Sequence, residues 1–103
     1  MNNNYFTYIV ECNDKSYYTG VTNDLEVRIW QHNTSENIES YTYSRRPVKL
    51  AYFELHYDIN DAIDREKQIK RWTRRKKQAL IQRDYKKLQK FAKGRKGYMK
   101  RKW

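Results

Sequence analysis

Tyr5-Phe6-Thr7-Tyr8-Ile9-Val10-Glu11-Cys12, then Asn13-Asp14-Lys15, then Ser16-Tyr17-Tyr18-Thr19-Gly20-Val21-Thr22 reads as two strands joined by a tight turn. Aromatic and β-branched side chains fill both runs, and Asn-Asp supplies the turn chemistry between them. A three-residue loop pairs Cys12 with Ser16, Val10 with Tyr18 and Tyr8 with Gly20. In that register Tyr8 and Tyr18 lie on one face as diagonal neighbours. A two-residue loop would put them on opposite faces. The longer loop also requires Lys15 to take the left-handed conformation usually given to glycine.

Downstream, Asn23 with Glu26 forms a capping-box signature for a helix to about His32. Leu25, Arg28, Ile29 and His32 fall on one side of it. Asn33 to Ser44 is polar and aperiodic, hence a loop. After Pro47, Val48 to Tyr57 reads as a third strand. Asp58 or Asn60 caps a helix whose apolar face carries Ile59, Ala62, Ile63 and Ile69. Glu66 falls in the middle of that face. A carboxylate aimed inward is costly unless a cation, a metal or donors meet it. An internal salt bridge and a functional site are both open on that fact alone. The helix should break near Trp72-Thr73, with Thr73 capping a further helix striped by Ile81, Tyr85, Leu88 and Ala92.

The chain of 103 residues is enough for one compact domain with a modest core, to which 16% aromatic content contributes. A single cysteine, Cys12, cannot make an internal disulfide and fits a reducing compartment. No apolar run has the length of a signal core or membrane span, so the expectation is a cytoplasmic protein without membrane contact. The net charge of +11 is unevenly spread. Residues 1–64 carry 5 Lys/Arg and 10 Asp/Glu, whereas residues 65–103 carry 18 and 2. That concentrated positive field, with arginines and aromatic residues among the lysines, points to a nucleic acid rather than an ordinary solvated helix or anionic lipid. Lys70, Arg71, Arg74, Arg75, Lys76 and Lys77 are the candidate phosphate contacts. Gly94 to Trp103 reads as a mobile basic tail.

Phe6-Thr7-Tyr8 and Tyr18-Thr19-Gly20, followed by Leu25-Glu26-Val27-Arg28, His32-Asn33 and Arg65 to Arg74, resemble the GIY-YIG nuclease family, notably its small stand-alone bacterial members. The likeness spans about residues 5–83. It implies an α+β fold, a three-stranded antiparallel sheet flanked by helices in the order β-β-α-β-α-α; the domain is taken as residues 1–85, and residues 86–103, where the resemblance gives no guidance, as a basic helix end and tail. It also implies a divalent-metal-dependent endonuclease or nickase acting on DNA, with RNA left open, as a monomer and with a repair or recombination role. The family's site residues fall here on Tyr8, Tyr18, Arg28, His32 and Glu66. Glu66 would hold one Mg²⁺ or Mn²⁺ ion, Arg28 the phosphate, and Tyr18 in preference to Tyr8 would be the general base. Phe6 and Thr7 replace the first motif's glycine and isoleucine, and Val21 stands where several branches carry a lysine. The alternative function is a nucleic-acid-binding protein that keeps this fold with little turnover.

Overall fold

The computed structural model describes residues 4–93, without the side chains of residues 91–93. The expected basic tail lies outside them. Three strands, β1 (Tyr5–Glu11), β2 (Tyr17–Thr22) and β3 (Lys49–His56), form one antiparallel sheet in the order β2-β1-β3. The longer hairpin loop is the one adopted. Val10 pairs with Tyr18 and Tyr8 with Gly20, the Cys12 amide donates to the Ser16 carbonyl at 2.8 Å, and Lys15 has φ 72°. The Asp14 carboxylate accepts the Ser16 amide at 3.0 Å and so offsets the strained lysine.

Helix α1 (Leu25–Thr34) crosses one sheet face, where Leu25 and Ile29 pack against Tyr8, Val10, Cys12 and Val48. Its cap differs from the expected Asn23: the Asp24 carboxylate accepts the Val27 amide at 3.1 Å. The Asp24 amide is itself taken by the Thr22 hydroxyl, which sets the helix start one residue later. The loop after α1 holds a single turn of 3-10 helix at Tyr43–Arg45. Asn33 closes this loop with both ends of its amide, donating to the Val48 carbonyl and accepting the Val48 amide.

Helix α2 (Ile59–Lys70) packs on the opposite face, where the Thr7 hydroxyl donates to the Ala62 carbonyl at 2.8 Å. Asp58 caps it, its carboxylate accepting the Asn60 amide. Ala62 and Ile69 are fully buried with Ile9. Arg65 is buried as well, in a two-pronged ion pair with Glu54 on β3. Burial alone would raise the Glu54 pKa, but hydrogen bonds from Arg65 and Tyr52 hold it below the ordinary carboxylate range.

The chain divides into two compact units, one ending at Lys70 and the next beginning at Arg71. The sequence of the first carries 8 Lys/Arg against 11 Asp/Glu, that of the second 15 against 1. In the second, Thr73 caps α3 (Arg74–Ile81), as its sequence suggests, by accepting the Lys76 amide at 3.2 Å. The single long helix expected beyond it is instead two. Arg83 takes φ 56°, its amide donates to Leu80 and that of Asp84 to Ala79. This is a Schellman stop with arginine at the usual glycine position. Asp84 then caps α4 (Tyr85–Lys93). Ala79, Leu80 and Leu88 are buried, whereas Tyr85 is exposed, so the break shifts the expected apolar stripe.

Candidate active site

The pleat sends Tyr8 and Tyr18 to the α1 side of the sheet. The Tyr8 ring lies across Gly20 on the neighbouring strand, and a Cβ at Gly20 would sit 2.6 Å from the Tyr8 hydroxyl. The glycine of Tyr18-Thr19-Gly20 therefore makes room for the first tyrosine. Tyr8 is 1% exposed, and its hydroxyl reaches His32 Nε2 at 2.7 Å. His32 Nδ1 in turn contacts the Thr42 hydroxyl at 3.1 Å.

Burial raises the Tyr8 pKa well above that of a free phenol, with further contributions from the Tyr18 and Glu66 charges, against an opposing one from Arg28. Burial, and then the Arg28 cation, lowers the His32 pKa. A neutral imidazole has one donor and one acceptor nitrogen, which suits a ring held between two hydroxyls. Tyr8, His32 and Thr42 thus form a hydrogen-bonded chain running from the sheet into the loop.

Tyr18 is half-buried, with its ring stacked on Tyr41 at 5.8 Å and edge-on to His32 at 5.3 Å. Lys70 Nζ lies 5.7 Å from its ring centroid. The Tyr18 hydroxyl makes no hydrogen bond with the described residues. Arg28, one helical turn before His32, also has no hydrogen-bonding or ionic partner among them, and its Nε is buried. An unpaired buried donor on a permanent cation is costly, and an anionic ligand would satisfy it.

Glu66 is partly buried and bound by Lys70 at 2.9 Å, one turn along α2. Its partner Lys70 is the ammonium that lies 5.7 Å from the Tyr18 ring centroid, and the Glu66 charge contributes to the raised Tyr8 pKa, which puts this carboxylate in the neighbourhood of the two tyrosines. Arg65, its neighbour in sequence, is the deeper inward residue and serves the fold. Among the described residues no three His, Cys, Asp or Glu side chains cluster to hold a metal. A single carboxylate is nevertheless a chemically suitable Mg²⁺ ligand, because this ion keeps several waters and shares its shell with substrate phosphate.

The candidate phosphate contacts separate by placement. Arg71, Arg74 and Arg75 are exposed, as is Lys70, and Lys77 is half-buried. Lys76 is the exception, 4% exposed with its ammonium 4.2 Å from the Trp72 ring centroid. Thr42 and Tyr41 were not legible as site residues, since both sit in a loop without periodicity. Asn33 follows His32 directly, and its clamp on Val48 fixes where that loop leaves α1.

The sheet, its crossing helix and the order of the motifs define a protein of the GIY-YIG family, whose catalytic domain matches residues 4–79. The chain belongs to that family. Domains of this kind imply nuclease activity on nucleic acid, generally with divalent metal ions. The chain is 46% identical over 82 residues to a UPF0213 protein of Haloquadratum walsbyi, covering 80% of this chain and 91% of that one. It is 44% identical over 78 residues to one of Staphylococcus epidermidis, covering 76% and 94%. The solution structure of a UPF0213 protein from Bacillus halodurans superposes with a TM-score of 0.50 at 37% identity, covering 77% of this chain and 83% of that one. No helix among the described residues is long and apolar enough to cross a membrane.

Proposed function

We propose that the protein is a divalent-metal-dependent endonuclease or nickase that hydrolyses DNA phosphodiester bonds, with a role in repair or recombination. The observation that carries this reading is Arg28, a cation without a carboxylate partner among the described residues, its buried Nε unsatisfied, its charge acting on Tyr8 and its side chain lining a cavity with Tyr18. A planar guanidinium fork is suited to two oxygens of one phosphate.

The residues divide the work by their environments. Tyr8 is held as a protonated phenol by burial, so it orients rather than accepts a proton. His32, neutral and bound on both nitrogens, fixes the Tyr8 hydroxyl. Tyr18, with its hydroxyl unengaged, is the group to take the proton from the attacking water. Arg28 holds the phosphate and meets the charge that gathers on its oxygens. A divalent ion held by Glu66 would stabilise the leaving oxygen. With such an ion on Glu66, Lys70 would be released from that carboxylate and could reach the substrate. Arg71, Arg74, Arg75 and Lys77 supply backbone affinity from the second unit.

The test is nicking of supercoiled plasmid by the purified protein, with Mg²⁺ or Mn²⁺ and with EDTA. Metal-dependent nicking that is absent from Arg28→Ala and Glu66→Ala supports the reading. DNA binding without any nicking would establish the non-cleaving alternative instead.

A further inference from the structure

A cavity of about 500 Å³ opens beside Arg28 in the first unit, lined by Tyr18 and Arg28 on the site side. Trp30, Gln31, Asn37 and Ser40 line it further out, from the second half of α1 and the loop after it. Among the described residues of its lining, Arg28 is the sole Lys or Arg, and no acid contributes. A groove that tracks a duplex backbone presents a succession of cations. This wall is different: beyond His32, Thr34, Ser35 and Thr42, it presents the Gln31 and Asn37 amides, the Ser40 hydroxyl and the Trp30 indole.

Those groups are idle within the protein. The Gln31 amide, the Ser40 hydroxyl and the Trp30 indole N–H make no hydrogen bond with the described residues. The Asn37 side-chain oxygen accepts the Glu39 amide, which leaves its NH₂ group unengaged among them. Trp30 is 65% exposed, a large ring that contributes little to packing. Amides and hydroxyls read the edges of a base, and an indole stacks on its face. The volume falls in the range that takes a small molecule of nucleotide size.

We propose that this cavity receives one unpaired nucleotide of the substrate, its phosphate on Arg28 and its base against Trp30 and the Gln31 and Asn37 amides. The inference rests on the nuclease reading for its phosphate position and deepens it: the preferred substrate is a duplex with an extrahelical or single-stranded nucleotide at the scissile position. Unstacking is least costly where a base has no partner, which favours such a site over paired DNA.

The experiment measures binding of the full-length protein, in EDTA, to two fluorescent duplexes that differ only by one unpaired nucleotide. The bulged duplex should bind about tenfold more tightly, the change one stacked base supplies. Trp30→Ala and Asn37→Ala, both at exposed positions, should each bring the ratio of affinities towards one. Equal affinity for the two duplexes, or a ratio unchanged in both variants, overturns the proposal. No turnover enters this measurement. A protein that keeps the ratio but never nicks plasmid retains the pocket and loses the nuclease reading, whereas nicking with equal affinities does the reverse.

Discussion

The hydroxyl of Tyr8 lies 2.7 Å from Nε2 of His32, inside a sheet face that excludes water from the phenol. Both groups are thereby held uncharged, the phenol by its raised pKa and the imidazole by its lowered one. The first consequence concerns pH. The folded-state pKa of His32 is depressed, so the unfolded chain binds the proton more readily. The contribution of His32 to stability is complete above the unfolded value of about 6.5 and declines as pH falls from there towards the folded value. Thermal melts of wild type should lose stability between pH 7 and 5, and His32→Gln should flatten that part of the profile. A variant profile parallel to wild type would show that another group titrates.

Gly20→Ala should act on the same pair from the neighbouring strand. The added methyl meets the Tyr8 hydroxyl at 2.6 Å and the ring carbon bearing it at 2.8 Å, so the phenol must shift and its 2.7 Å contact with His32 is disturbed. Overpacking of this kind costs about 1–3 kcal/mol. Nicking should fall about as far as in Tyr8→Phe, and the double variant should be no worse than the more damaged single one. Additive losses would mean that Gly20 acts independently of Tyr8.

Arg28→Lys should fail to replace arginine. A lysine keeps the charge but loses the planar fork and the Nε donor, so cleavage should fall by about 10²-fold or more while DNA affinity changes little. Single-turnover nicking at saturating DNA distinguishes the two effects. Full activity in the lysine variant would reduce Arg28 to a point charge.

The Arg65–Glu54 pair gives a prediction about the fold. Arg65→Met leaves a half-buried carboxylate without its two-pronged partner, a change that costs about 3–5 kcal/mol in fully buried pairs and less here, where the Glu54 side chain is 17% exposed. The Glu54 pKa is depressed in the folded state, so its contribution is present above the unfolded value and is lost as pH falls through the folded one. Urea denaturation should therefore show the Arg65→Met deficit shrinking in acid. Adding Glu54→Leu to Arg65→Met should recover much of it.

The exposed bases of the second unit should govern the salt response. Replacing Arg71, Arg74 and Arg75 with glutamine should weaken duplex binding and lower the slope of log affinity against log salt by about 0.9 for each phosphate no longer neutralised. Lys76→Gln should leave the slope unchanged and destabilise the fold instead, since its ammonium lies on Trp72. Identical slopes for wild type and the triple variant would place the backbone-binding cations elsewhere.

The hairpin was legible from sequence because pleat and turn length are local: once Lys15 was allowed a left-handed conformation, the shared face of Tyr8 and Tyr18 followed. The phase of α1 likewise put Arg28 and His32 on one side. Four features escaped. Asn23 and Asp24 are equivalent as cap residues until the Thr22 hydroxyl takes the Asp24 amide. The stop at Arg83 has no glycine to announce it. Helical phase also marked Glu66 as the inward polar residue, while the deeper one is Arg65, whose long side chain reaches Glu54 on a strand that periodicity cannot see. Thr42 belongs to the same class, positioned by a loop whose course depends on the Asn33 clamp.

The division of charge between the two units has a kinetic meaning. A unit with more acids than bases is repelled by a polyanion, so its random encounters with DNA are unproductive. On the proposed reading it would reach a phosphate mainly as the tethered companion of a strongly basic unit, at a local concentration fixed by the covalent link rather than by its abundance. Severed from that companion it would be a blade without a hand. Whatever loosens the basic unit from its target, salt or a competing polyanion, would also sheathe the site without touching any residue in it.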